Sequence, residues 1–183
     1  MKQTVLAALV AFLPSFAAAR QPAVADISGA FSGQTAHLTL DRRAWTVSGA
    51  LSGQTVSIAI DQDAKTIKGS ANGSTVDLSF VWTPENVAYK GGVNGRGIAY
   101  TIDWQAGTVD GAANGSPLHI VFDLQNGSVD KDKSYANGWP VSLALDAQSG
   151  RLNGTLGGRD VALMLVNADL SDFLQNLYLF LRP

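Results

Sequence analysis

A unit of about twenty residues recurs along most of the chain, and this repeat constrains the fold more than any other feature. The units begin at Ile27, Val47, Ile67, Tyr89, Val109 and Leu152, with an irregular unit at residues 129–134. Within a unit, short runs of alternating apolar and polar residues are separated by pairs of turn-forming residues. Alternation with a period of two is typical of β-strands that bury one face, so the repeat predicts β-hairpins.

Seven two-residue pairs between the alternating runs predict tight hairpin loops. They are Ser32-Gly33, Ser52-Gly53, Asn72-Gly73, Asn94-Gly95, Asn114-Gly115, Asn137-Gly138 and Gly157-Gly158. A type I′ loop needs positive φ at both residues, which Asn and Gly tolerate best. If Asn72 and Gly73 are central, Ile67 pairs with Leu78 and the apolar partners share one face. The chain is therefore predicted to be all-β, an antiparallel up-and-down meander of about fourteen short strands.

At the other end of the strands, an aspartate begins the turn in five units. These residues are Asp41, Asp61, Asp103, Asp123 and Asp146. An Asp at the first position of a type I turn accepts a backbone N–H, and Gly107, Gly127 and Gly150 can then take the left-handed position. Calcium is the alternative explanation, but equivalent positions lie two strands apart, ~9.5 Å. We expect the aspartates to be structural because calcium holds its oxygen ligands at about 2.3–2.6 Å.

A sheet of this size must close on itself, because an open one would leave two free edges and an apolar face in water. We expect a barrel, a flattened barrel or a sandwich, and in outline the meander resembles lipocalin-like, avidin-like and surface-lipoprotein barrels. About eight strands is the size that side chains alone can fill. The interior must therefore hold the C-terminal helix or a ligand, or the walls must collapse. Inward glycines near the strand centres favour a close approach of facing layers.

The hydrophobic period changes from two to helical spacing near the C-terminus. Apolar residues at positions 170, 173, 174, 177, 178 and 181 predict an amphipathic helix over residues 169–182, with Asp169 or Ser171 as its cap. Its polar face favours a cover over a barrel mouth or edge. A buried plug and a last strand at residues 177–181 are the alternatives.

The first nineteen residues predict export. Lys2 precedes a short apolar run, and Ala17-Ala18-Ala19 fits a cleavage site, which is the pattern of a secretory signal peptide. Removal of residues 1–19 leaves residues 20–183 as a single domain in the periplasm of a bacterium or outside the cell. The sequence has no Cys, so disulfides and thiol chemistry are excluded.

Charge and composition exclude several kinds of partner and chemistry. The formal net charge is -2 and no basic cluster occurs, which argues against nucleic acid. Strands of six to eight residues are shorter than the 9–11 residues that cross a bilayer, so no membrane span is predicted. His37 and His119 occupy equivalent outward positions without further ligands, and no nucleophile or phosphate-binding motif occurs. We therefore predict a non-catalytic protein with no metal and no cofactor.

Aromatic residues gather at the turns that begin with Asp, which we call the Asp-turn end. Trp45, Trp82, Trp104 and Tyr89 fall there, whereas Trp139 falls at the opposite end. Exposed Trp is enriched at binding surfaces, so these four residues are the candidate site for a glycan or a protein partner. The alternative is that the rings fold over the mouth as part of the core. A second candidate function is a carrier of a small hydrophobic or lipid-like ligand, with the C-terminal helix as lid.

Overall fold

The structure, a computed structural model, describes residues 21–181, and the predicted signal peptide at residues 1–19 lies outside them. Sixteen strands and a short helical segment make up the described chain. The strands are β1 (Val24–Phe31), β2 (Gln34–Asp41), β3 (Thr46–Leu51), β4 (Gln54–Asp61), β5 (Thr66–Ala71), β6 (Ser74–Trp82), β7 (Asn86–Val93), β8 (Arg96–Asp103), β9 (Thr108–Ala113), β10 (Ser116–Asp123), β11 (Ser128–Val129), β12 (Tyr135–Ala136), β13 (Trp139–Pro140), β14 (Ser142–Asp146), β15 (Arg151–Leu156) and β16 (Arg159–Val166). The helical segment consists of α1 (Leu170–Gln175) and a 3-10 turn (Leu177–Leu179).

The strands form a closed antiparallel barrel of fourteen strands, which confirms the predicted fold class. Strands β1 to β10 follow one another as a meander, and β10 pairs with β11. Strand β11 pairs with β14, β14 continues through β15 to β16, and β16 pairs with β1. The short strands β12 and β13 form an extra hairpin beside β10, with the charged residues 130–133 in the turn before it and Pro140 in a short edge strand.

The hairpin loops have the backbone conformation that the turn pairs predict. In all seven pairs the first residue has φ between 54° and 59°, and the second has φ between 69° and 78°. Ile67 pairs with Leu78 and Ala71 with Ser74, as expected for a loop centred on Asn72 and Gly73. The register prediction is confirmed because loop geometry determines which residues face each other.

The aspartates at the opposite turns accept backbone hydrogen bonds, which confirms their structural role. Oδ1 of Asp61 accepts the N–H groups of Asp63 and Ala64 at 2.9 and 2.8 Å. The same Asp oxygen accepts one or two backbone N–H groups in the turns at Asp41, Asp103, Asp123 and Asp146. Gly107, Gly127 and Gly150 take the left-handed position, as predicted. In the first two turns that position belongs to Trp45 and Lys65, each with φ of 56°.

Six glycines near strand centres have a different role from the predicted one. Gly29, Gly49, Gly69, Gly91, Gly111 and Gly154 have φ between 137° and 151°. A Cβ atom at Gly69 would lie 2.0 Å from the carbonyl oxygen of Ser57, on the adjacent strand β4. The close approach is thus between neighbouring strands, and the predicted approach of facing layers is wrong. Glycine is needed at these points because a side chain would collide with the backbone of the neighbouring strand.

The C-terminal segment occupies the barrel. Helix α1 begins as predicted, since Asp169 and Asp172 form a reciprocal capping box. The helix ends at Gln175 instead of residue 182, and a 3-10 turn follows, which excludes the alternative strand at residues 177–181. Apart from the exposed Gln175, residues 170–181 are buried, and they include Ser171, Asp172 and Asn176 on the polar face.

Contacts at both ends show how far this segment extends. Asp172 pairs with Arg42 at the Asp-turn end, and the carbonyl oxygen of Leu181 accepts a bond of 2.6 Å from Nδ2 of Asn114 at the opposite end. Between them, the Phe180 ring packs on Phe31 with centroids 5.2 Å apart. Helix α1 therefore closes one mouth, as predicted, and the following residues fill the interior as a plug. Burial of an almost wholly apolar stretch stabilises this arrangement.

Candidate binding cleft at the Asp-turn mouth

A cleft with a volume of about 160 Å³ lies at the Asp-turn mouth, between the strand ends and helix α1. Its walls come from the first four Asp-turn-end connections of the barrel and from the C-terminal segment. Its lining includes the aromatic residues Trp45, Phe80, Trp82, Tyr89, Trp104 and Tyr178, and the polar residues Gln21, Asp41, Arg42, Thr46, Gln62, Ser171, Asp172, Gln175 and Asn176. The cleft thus combines aromatic surface with a ring of polar groups, as small-ligand sites do.

All four residues predicted as the site line this cleft. Trp45, Trp82 and Trp104 are half-buried, and Tyr89 is buried. Trp82 and Trp104 also pack against the hydrophobic core. The structure therefore combines the two alternatives that the sequence left open: the rings fold over the mouth, and they still present surface to the cleft.

Trp45 lies in a strained backbone conformation. Its φ of 56° is in the left-handed region, where the equivalent residue of the three later turns is glycine. Its carbonyl oxygen accepts a bond of 2.8 Å from the N–H of Ile60, which holds the turn against strand β4. Left-handed backbone costs an ordinary residue about 1–2 kcal/mol. Such strain is concentrated at functional sites in proteins.

Trp82 and Trp104 are brought together by the longer hairpin at residues 82–87. Trp82 ends strand β6 opposite Val87, and the Thr83 hydroxyl accepts the N–H groups of Glu85 and Asn86 in the turn. The N–H of Trp104 donates to the carbonyl oxygen of Glu85 at 2.8 Å. This bond ties the turn at Asp103 to the longer hairpin, and both indoles line the cleft.

Three tyrosines pack together beside the cleft, and two of them, Tyr89 and Tyr178, line it. The Tyr89 ring lies 5.1 Å from the Tyr100 ring and 6.2 Å from the Tyr178 ring, measured between centroids. Burial raises the pKa of each phenol well above its ordinary value. All three hydroxyl groups are therefore protonated at physiological pH and can donate hydrogen bonds.

Arg42 and Asp172 form an ion pair beside the aromatic rings. Nη2 of Arg42 lies 2.9 Å from each carboxylate oxygen of Asp172 and also donates to the carbonyl oxygen of Asn167, while Nη1 donates to the carbonyl oxygen of Pro22. Burial, followed by the nearby Asp169 carboxylate, raises the pKa of Asp172, and Arg42 opposes that rise. The pair fixes α1 to the strand ends. The positive charge of Arg42 is balanced within the protein by the Asp172 carboxylate.

Gln62 contributes the one lining amide whose nitrogen is buried without a hydrogen-bond partner among residues 21–181. The sequence analysis did not single out Gln62 or Arg42. Both residues directly follow a turn aspartate, as Trp104 does, and all three line the cleft. In these three turns the position after the turn Asp thus faces the cleft, and the equivalence with Trp104 is the signal that could have identified Gln62 and Arg42.

Other candidate chemistry falls outside the cleft. Within the described range, no three His, Asp or Glu side chains lie close enough together to hold a metal ion. His119 instead bonds to the carboxylate of Asp110 on the outer face, which lowers the pKa of Asp110 against the opposing effect of burial. No helix among residues 21–181 has the length and hydropathy needed to cross a bilayer.

Comparison with known proteins identifies a family. Searches of curated proteins and of solved structures found no significant match. A family model described as the propionyl-coenzyme A carboxylase BT domain matches residues 6–122, which is more than half of the chain. The match includes strands β1 to β9 and most of β10, and with them Trp45, Trp82, Tyr89 and Trp104. The chain therefore belongs to the propionyl-coenzyme A carboxylase BT domain family.

Proposed function

We propose that this protein is an exported, non-catalytic binding module that recognises a glycan through the cleft at the Asp-turn mouth. The observation that carries the proposal is the convergence of Trp45, Trp82, Trp104 and Tyr89 on one cleft. Trp is enriched where proteins bind partners because its ring offers a large apolar area with few rotatable bonds. A protein partner that inserts a side chain is the second possibility.

The composition of the cleft favours a glycan over a protein partner. A sugar ring has an apolar face of C–H groups, which suits an indole, and hydroxyl groups at its edge, which need polar partners. Gln62 and Gln175 supply amides next to the aromatic walls, whereas the Asn176 amide donates to the carbonyl oxygen of Asp172. A few placed polar groups among aromatic walls is the general design of sites for small polar ligands.

Trp45 combines backbone strain with a side chain that lines the cleft. The three later turns of the same type use glycine at this position, which avoids the strain, whereas the second turn has Lys65 with the same φ of 56°. A bulky residue with positive φ reduces stability. Both early turns are therefore strained, and Trp45 differs from Lys65 in that its indole lines the cleft.

Carriage of a lipid in the interior is less well supported. Residues 170–181 fill the space that such a ligand would need, and Phe173, Leu174 and Leu177 have no exposed surface. A carried lipid would have to displace this plug and break the Arg42–Asp172 pair. Native mass spectrometry of the freshly purified protein tests the carrier function, which predicts a co-purified ligand.

The family name alone does not assign an activity to this chain. Propionyl-coenzyme A carries phosphates, whereas Arg42, the one cation among residues 21–181 that lines the cleft, is already paired with Asp172. Asp41 also faces the cleft, and hydrogen bonds from the N–H groups of Ala44 and Arg43 lower its pKa, so it stays ionised. A domain named after part of a larger enzyme can act by binding, which agrees with a non-catalytic role.

A glycan array with the purified protein, combined with a lipid-extract screen and a propionyl-coenzyme A control, tests the proposal. We expect binding to glycans, weakened by Trp45→Gly and by Trp104→Ala. Loss of a Trp at the centre of a binding site costs about 2 kcal/mol, which is roughly thirtyfold in Kd. Trp45→Gly keeps the turn because the equivalent residue in later turns is glycine.

Trp139→Ala is the matched control, since Trp139 is 61% exposed and lies at the opposite end of the barrel. This variant should bind as the unmodified protein does. Equal binding by Trp45→Gly, Trp104→Ala and the unmodified protein would contradict the proposal. Retention of only a lipid would support the carrier function instead.

A further inference from the structure

We infer that the cleft takes one neutral, terminal sugar ring, and that the side-chain amide of Gln62 is the polar group that selects it. This inference rests on the proposed function and adds to it the size, the charge and the contact atom of the ligand. Each of the three follows from a separate observation on the cleft.

The size of the ligand follows from the volume of the cleft. The cleft measures about 160 Å³. An apolar cavity of about 150 Å³ takes one benzene molecule, so this cleft holds one six-membered ring. The mouth is open to solvent, so this volume limits the enclosed part of the ligand to one ring, and further rings would lie outside the cleft. We take the enclosed ring to be a terminal one, because the middle ring of a chain would need room for both of its neighbours.

The charge of the ligand follows from Asp41 and Arg42, the two charged residues at the end of strand β2. The Arg42 side chain is only 12% exposed and both oxygens of the Asp172 carboxylate are within 2.9 Å of it, so its charge is neutralised inside the protein. Asp41 remains ionised beside the cleft because backbone N–H groups lower its pKa. A carboxylated or phosphorylated ligand would meet a negative charge without a free cation among the lining residues of the described range 21–181. A neutral ring meets no such penalty.

The contact atom is Nε2 of Gln62. This nitrogen is buried and lacks a hydrogen-bond partner within residues 21–181. An unmade hydrogen bond on a buried amide costs free energy, and such groups in native proteins call for an explanation. In the empty cleft this nitrogen has almost no solvent-accessible surface, so the Gln62 side chain has to turn toward the ligand, and an oxygen of the ligand would then accept the N–H and remove the penalty. A hydroxylated ring supplies that oxygen, and a purely apolar ring does not.

Isothermal titration calorimetry with a small panel of carbohydrates tests the inference. The panel includes neutral methyl hexosides, glucuronic acid, and a cyclic glucan, which consists of neutral rings without a chain end. We expect neutral methyl hexosides to bind, with the acid and the cyclic glucan at least about tenfold weaker. Gln62→Met, which keeps the side-chain length and removes the amide, should weaken binding of the hexosides roughly tenfold.

Gln105→Met is the matched control, because Gln105 is an exposed glutamine in the equivalent turn of a later unit and does not line the cleft. Its affinity should be unchanged. Gln62→Glu provides a second variant of the same shape, in which an acceptor replaces the donor, and circular dichroism confirms that each variant is folded.

The outcomes separate the inference from the proposed function. Trp45-dependent binding that prefers the cyclic glucan or glucuronic acid overturns the inference and leaves glycan recognition in place. Hexoside binding that Gln62→Met and Gln62→Glu do not alter overturns the assignment of Gln62. Absence of binding to any glycan overturns both.

Discussion

The guanidinium group of Arg42 contacts both carboxylate oxygens of Asp172 at 2.9 Å, although the two residues are 130 positions apart in sequence. This contact joins the end of strand β2 to the first turn of helix α1. The side chains are 12% and 9% exposed, so the pair is largely removed from water. It therefore orients the C-terminal plug and forms one wall of the cleft at the same time.

Arg42→Ala should destabilise the protein strongly. Removal of one partner leaves the other charge buried without compensation, which costs about 3 kcal/mol or more. Urea denaturation followed by circular dichroism measures the free energy of unfolding. Arg43→Ala, at the exposed neighbouring position, is the control and should change it by less than about 0.5 kcal/mol. Similar values for the two variants would show that the Arg42–Asp172 pair does not anchor the plug.

Phe180→Ala tests whether the plug is part of the core. The Phe180 ring packs on Phe31 and Phe173, with centroids 5.2 and 5.0 Å away, and is 1% exposed. Truncation of a buried Phe to Ala costs about 3–5 kcal/mol, because it removes apolar contacts and leaves a cavity. Chemical denaturation provides the measurement, with Val81→Ala as control because Val81 is 67% exposed. A loss below about 1 kcal/mol for Phe180→Ala is incompatible with a packed plug.

Gly69→Ala should destabilise the barrel more than the addition of a single methyl group would suggest. The new Cβ would lie 2.0 Å from the carbonyl oxygen of Ser57, and the φ of 150° strains any side chain. We expect a loss of more than about 2 kcal/mol in unfolding free energy, or failure to fold. Gly97→Ala is a matched control, because a Cβ there would meet no atom within 4 Å. Equal effects at Gly69 and Gly97 would contradict the close approach of the neighbouring strand as the reason for glycine at position 69.

The Asp turns make stability dependent on pH in a predictable direction. Hydrogen bonds from the Ser149 hydroxyl and then from the N–H of Gln148 lower the pKa of Asp146 below its ordinary value of 3.8. The folded state therefore binds fewer protons than the unfolded state. The stability due to Asp146 is fully present above pH 3.8 and is lost as pH falls through the lower folded pKa.

Thermal unfolding between pH 2 and 6 measures this effect. The melting temperature of the unmodified protein should fall as pH decreases below about 4. Asp146→Asn should reduce the slope, because Asn keeps an acceptor oxygen for the turn but does not titrate. Ser149→Ala should reduce it in part, since one of the hydrogen bonds that lower the pKa is removed. Identical slopes in all three proteins would rule out a contribution from Asp146.

Most of the barrel wall was predictable from the sequence because its determinants are local. The loop at Asn72-Gly73 sets the pairing of Ile67 with Leu78, and the turn at Asp61 sets that of Ile60 with Ile67. Each pairing depends on residues within a dozen positions. The gathering of the tryptophans at one end follows from the same register, whereas their binding role stays a prediction.

The remaining features depend on residues that meet only after the barrel has closed. The sequence by itself determined the strands, their register and the end at which Trp45 and Trp104 lie, because turn chemistry acts over a few residues. Only the tertiary structure decided that the C-terminal segment fills the interior and that Gln62 faces the cleft. It alone also decided that Asp172 is buried beside Arg42. The physical reason is that a fourteen-strand barrel leaves an interior that its own wall cannot fill. Which segment fills it depends on the exposed apolar surface of the whole chain, and no local sequence pattern specifies that outcome.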